Sequence, residues 1–205
     1  MRNLFLGCSL ALFLWFVMFS PWTSQQINFW FVMSFSAVSL TSLSWLNQRE
    51  RLRQLFVFKK QDVLWGLSSA IILYGIFYFG KVVLLKIFPV GQAEITSIYA
   101  TRHQASPLLI GSILFFLIGP AEEIFWRGYV QDRLTTRWGQ WPGFLAAVFI
   151  YTIVHIWSFN VTLLIAALVC GLFWGLLFLK TRRLWPVIIS HALWDVLIFV
   201  IIPVY

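Results

Sequence analysis

Charge is scarce in this chain. Asp, Glu, Lys and Arg supply 11% of its 205 residues, and only seven residues are acidic, whereas soluble domains carry about 25% charged residues. Histidine occurs three times and cysteine twice. Cys8 and Cys170 both sit inside apolar runs, which excludes a disulfide scaffold and leaves no cysteine-based metal spacing. What the chain has instead is apolar bulk: 60% hydrophobic residues, with 12 Trp and 21 Phe, and a mean hydropathy of +0.85. A soluble monomer of this size could not hide that much apolar surface in one core. A soluble enzyme, a disordered chain and a nucleic-acid-binding domain are therefore excluded. Long continuous apolar runs point to an all-α, polytopic transmembrane helical bundle.

Apolar runs near 4–20, 28–46, 63–88, 107–131, 143–157, 162–179 and 184–204 give about seven spans. The first run passes straight through Leu6-Gly7-Cys8 to Phe19, which favours a retained span over a cleaved signal or lipoprotein site. With Arg2 placed in the cytoplasm, the basic loops 47–62, 132–142 and 180–183 all fall inside. The loops with little or no Lys or Arg, 21–27, 89–106 and 158–161, all fall outside. The net charge of +8 is thus read as topology, with the N-terminus cytoplasmic, and no nucleic-acid partner is expected. Segment 89–106 reads as a short interfacial piece, and no linker divides the chain.

The few ionisable residues are unevenly placed. Glu122, Glu123, Arg127, His155, His191 and Asp195 all fall inside predicted spans in the second half, and the first three spans have essentially none away from their ends. Intramembrane ionisable groups are costly and are functional candidates by default. At 1.5 Å per residue, Glu122, His155, His191 and Asp195 all reach depths of roughly 12–20 Å from their helix ends, so one shared site is possible. Glu123 and Arg127 are spaced i,i+4 as an ion pair, and so are the pairs Tyr151/His155 and His191/Asp195. Glu122 points about 100° away from Glu123. Gly119-Pro120 loosens the helix before the glutamates, and Gly171 and Gly175 let the sixth span pack closely.

A carboxylate in an apolar site can take a proton from water and return it to a leaving amine. Histidine and a hydrogen-bonding neighbour can steady an oxyanion. That set suits peptide hydrolysis by water, and no serine-nucleophile motif is present. Glu122, His155, His191 and Asp195 are also acceptable zinc ligands, although the His-Glu-x-x-His pattern is absent. Taken singly, Glu123–Arg127, His191–Asp195, His155 and Tyr151 also read as structural pairs or core residues. Their joint occurrence at similar depth favours a site.

Glu122-Glu123-Ile124-Phe125-Trp126-Arg127, Tyr151-x-x-x-His155 and His191-x-x-x-Asp195 resemble, in order and spacing, the three motifs of the CPBP family of intramembrane proteases. That family includes the type II CAAX prenyl endopeptidases and bacterial Abi-type proteins. The resemblance spans about 107–200, so residues 107–205 form the expected protease core and 1–106 carry no recognised motif. It implies that Glu122 and His155 activate water, that His191 and Asp195 stabilise the oxyanion or bind a metal, and that Glu123, Arg127 and Tyr151 support the site. Such proteins have been described both as metalloproteases, with zinc as the cofactor, and as glutamate-type proteases. Tyr151 stands where Phe is usual, and Asp195 where the prenyl-protein proteases have Asn. The expected partners are the lipid bilayer and a membrane-anchored peptide or protein, in a bacterial inner membrane. A non-enzymatic immunity or scaffold protein and a proton-coupled transporter are the alternatives.

Overall fold

Polar caps decide where the apolar runs become helices. In the computed structural model, which describes residues 1–204, Asn28 accepts the Phe31 N–H at 3.1 Å and opens α2 (Phe29–Leu55). Asp62 accepts the Lys59 N–H at 2.9 Å at the start of α3 (Lys60–Ile87). Ser106, followed by Pro107, caps α5 (Pro107–Trp138), and Asn160 accepts the Leu163 N–H at 2.7 Å to open α7 (Val161–Thr181). The remaining helices are α1 (Arg2–Phe19), the short α4 (Gly91–Tyr99), α6 (Gln140–Ser158) and α8 (Leu184–Ile201). Among the described residues there is no strand, and seven of the helices are long and apolar enough to cross a membrane.

The spans fall where the hydropathy runs placed them, but most reach further at the end next to a basic loop. The stretch expected as a loop over 132–142 is almost wholly helical, with only Gly139 between α5 and α6. Asp132 in this stretch lowers hydropathy without opposing helix formation, because it is paired. Arg51 donates twice to Asp132 at 2.9 Å, and Arg182 lies 3.6 Å from the same carboxylate. Asp62, expected in a loop, is fully buried and takes a forked pair from Arg183 at 2.6 and 2.9 Å. These ion pairs gather one end of α2, α3, α5, α7 and α8.

The opposite end is held through Gln104, Trp30 and Glu94. Gln104 receives the Phe29 N–H at 2.6 Å, and Trp30 donates to the Thr101 carbonyl at 2.9 Å. Glu94 of α4 clasps the start of α7, accepting the Thr162 hydroxyl at 2.6 Å and the Thr162 and Val161 N–H groups at 2.8 and 3.2 Å. Burial alone would raise the Glu94 pKa, but these hydrogen bonds outweigh it and hold the carboxyl below its ordinary value. With the folded pKa depressed, the clasp is at full strength above the unfolded value of about 4.3 and is lost as pH falls through the lower folded value. Amide exchange at Val161 and Thr162 is expected to accelerate only below about pH 4; equal protection at pH 3 would show that Glu94 does not hold this junction.

The central helix is α5, wrapped by α2, α6, α7 and α8, while α8 lies along α3. Trp15, Phe125, Tyr129, Trp174, Phe178 and Leu184 are fully buried in the shared core. The outer face of α3, with Leu64, Ile71, Phe79 and Val83 exposed, reads as lipid-facing. The small pair on α7 behaves as its spacing suggests: a Cβ on Gly175 would stand 2.7 Å from Phe144, and one on Gly171 3.2 Å from Tyr151. The tightest approach is at Gly143, where a Cβ would lie 2.4 Å from the backbone of Leu134 and Thr135. Gly143→Ala must push α5 and α6 apart and is expected to cost about 1–3 kcal/mol, read as a lowered unfolding midpoint in detergent.

Candidate active site

The glutamates sit on a short α-helical stretch of α5, Gly119–Glu123, between two π-helical segments, Leu114–Ile118 and Ile124–Gln131. A π turn widens the helix and leaves backbone carbonyls to find other partners. Here Gln48 donates to the Gly128 carbonyl at 3.0 Å, from a point where α2 itself leaves helical geometry. Gln131 in turn donates to the Gly175 carbonyl at 2.9 Å.

Glu123 is locked. One of its oxygens, Oε1, takes Arg127 at 2.9 Å and lies 2.7 Å from His191 Nδ1. The Arg127 guanidinium reaches the Cys170 carbonyl at 3.3 Å and lies over the Tyr151 ring at 4.8 Å. Trp174 stacks on His191 with centroids 3.7 Å apart, and its indole N–H donates to Ser190 Oγ at 3.1 Å. His191 Nε2 faces Asp195 at 3.5 Å, a loose contact. The result is a buried relay of Arg127, Glu123, His191 and Asp195.

Glu122 differs in kind. Its carboxylate has no hydrogen bond among the described residues, although it lies within electrostatic range of Glu123, Arg127, His191, Asp195 and Tyr151. Its side chain borders a narrow, otherwise apolar crevice lined by Trp15, Ala37, Leu40, Phe125 and Trp126. A free carboxylate there requires water or a proton as its partner.

His155 stands at the last turn of α6. Its Nδ1 lies 2.9 Å from the Tyr151 carbonyl, which can only accept, so Nδ1 carries the hydrogen. Its Nε2 then accepts the indole N–H of Trp15 at 3.0 Å. The structure thus brings Glu122, Glu123, Arg127, Tyr151, His191 and Asp195 together. His155 is joined to this group through Tyr151, with no hydrogen bond to Glu122. Trp15, Trp174, Ser190 and the Cys170 carbonyl carry no sequence signal for a site; spacing along one helix cannot reveal partners on another.

As arranged, these donors do not fit zinc. The His155 lone pair is taken by Trp15, both His191 nitrogens face carboxylates, and among the described residues no three His, Cys, Asp or Glu side chains converge as a metal-holding group.

Residues 104–197 match the model of the family described as type II CAAX prenyl endopeptidase Rce1-like. No curated protein and no solved structure matches the chain. The matched stretch, just under half of the chain, includes all three motif pairs and every residue of the relay, and this Rce1-like domain supports membership of the CPBP family.

Proposed function

We propose that the protein is an intramembrane endopeptidase of the glutamate type, with Glu122 as general base. The observation that carries this reading is the contrast between adjacent carboxylates: Glu123 is held by Arg127 and His191, whereas Glu122 has no protein partner. As a water oxygen attacks the scissile carbonyl, Glu122 takes its proton. The carbonyl oxygen becomes an oxyanion, and when the C–N bond breaks Glu122 returns the proton to the leaving amine. The loosely held Nε2–H of His191 is the donor nearest to hand for the oxyanion, oriented by Asp195 and Glu123. The Tyr151 hydroxyl, which has no hydrogen bond of its own among the described residues, is a second donor. His155 serves as a further proton acceptor only once its Nε2 is released from Trp15. No step passes through a metal.

The substrate is a membrane-anchored peptide or protein cleaved in the half of the bilayer next to the Arg-rich end. By the charge rule that end is cytoplasmic, in keeping with a bacterial inner membrane. The test is cleavage of membrane-anchored peptides in proteoliposomes prepared in H₂¹⁸O, with and without a zinc chelator. One ¹⁸O in the new carboxylate and indifference to chelator are expected. Loss of activity with chelator, restored by zinc, would overturn the glutamate-type assignment.

A further inference from the structure

We infer that Trp15 of α1 is a latch on this site: its indole N–H occupies the one nitrogen of His155 able to accept a proton, and α1 must move before His155 can take part. Only the cleavage arm of the test below rests on the proposed protease activity.

A neutral imidazole offers one N–H and one lone pair. In His155 the N–H is spent on the Tyr151 carbonyl and the lone pair on Trp15. The ring is nearly buried at 8% exposure, so no water substitutes for either bond. As held, His155 can neither accept a proton nor bind a ligand.

Trp15 also closes the crevice beside Glu122. It packs edge-on against both Trp126 and His155, with centroids 5.8 Å apart in each case, and lines the same gap as Glu122. Behind it the Trp126 indole N–H is buried without a partner, a cost that the closed arrangement carries. One displacement of Trp15 therefore frees the His155 lone pair, widens the crevice and gives the Trp126 N–H room for a partner.

The helix that bears the latch is lightly held. Among the described residues, α1 makes two side-chain hydrogen bonds to other helices, Trp15–His155 and Asn3–Asn47, and no salt bridge. Its other contacts are apolar, and apolar contacts between helices gain little over contacts with lipid. The outward faces of Phe5, Leu6 and Phe13 are exposed, so α1 has no protein to displace on that side when it tilts.

The experiment measures the reactivity of the His155 imidazole directly. Full-length protein in lipid nanodiscs is treated with diethyl pyrocarbonate, which modifies unprotonated imidazole nitrogen, and His155 is quantified by peptide mass against the exposed His103. All labelling is repeated in a Glu122→Gln background. Trp15→Phe keeps a ring and loses the N–H, and removing one net hydrogen bond is expected to raise His155 modification about fivefold. The opposite manipulation leaves Trp15 intact. Phe16 and Trp157, whose rings meet at 5.1 Å, are both changed to Cys and tethered with a reducible bis-methanethiosulfonate linker, pinning α1 to α6. Modification of His155 should then fall and recover on reduction, and cleavage should fall and recover with it.

If neither Trp15→Phe nor the tether changes His155 reactivity, the latch is wrong, whether or not the protein cleaves peptides. If reactivity responds both ways and the wild type cleaves nothing, the latch stands and the protease assignment fails.

Discussion

Glu122→Gln is expected to leave a folded membrane protein that no longer cleaves. Glutamine has the shape of glutamate and cannot take a proton from water, so the loss is that of a general base, about 10²–10⁴-fold or more in rate. Stability should be nearly untouched, within about 0.5 kcal/mol, because the carboxylate makes no hydrogen bond to lose. The two readouts have to separate: an unchanged unfolding midpoint with cleavage gone. Retained cleavage in Glu122→Gln would end the mechanism. A host phenotype that survives the substitution, with no cleavage detected even in wild type, would instead favour a partner-binding role.

Arg127→Ala has the opposite signature. It strips the guanidinium from Glu123, from the Cys170 carbonyl and from the Tyr151 ring together. Glu123 is then left buried with only His191 on one oxygen, while Glu123 Oε2 already has no partner. Removing one member of a buried pair costs about 3–5 kcal/mol, so the unfolding midpoint in detergent should drop sharply and activity fall with it. Arg127→Lys should rescue poorly, since a point charge cannot reach three partners on α5, α6 and α7 as a planar fork does. A midpoint within experimental error of wild type would mean that the relay is not what joins these helices.

How much of this was legible in the sequence depended on how far apart the partners lie. The seven spans could be read because hydropathy is a local property, and the Glu123–Arg127 and His191–Asp195 pairs could be read because i,i+4 neighbours share a helix face. A site shared by Glu122, His155, His191 and Asp195 followed from depth only as a possibility, and the contact of His191 with Glu123 had no signal in the sequence. Nothing local announces Trp15, 140 positions from His155, or Arg183, 121 positions from Asp62. The span ends were misjudged where charges are paired, since hydropathy counts Asp132 and Arg51 as polar and cannot see that each satisfies the other. Gly119-Pro120 hinted at an irregular helix, but not at the π segments on both sides of it, the second of which has its Gly128 carbonyl taken by Gln48 of α2. Which nitrogen of His155 bears the hydrogen is likewise decided by its partners, not by its spacing from Tyr151.

The helices also differ in reach. With 18 residues, α1 is about 27 Å long, slightly less than a hydrocarbon core of about 30 Å. With 28 residues, α3 is about 42 Å long and must lean to fit the same core. Lipid on the α1 side is therefore drawn thinner than lipid on the α3 side, at a fraction of a kcal/mol per Å of mismatch. A given acyl-chain length is consequently matched unequally around the protein's circumference. Longer chains strain first the margin formed by α1, the helix that carries Trp15.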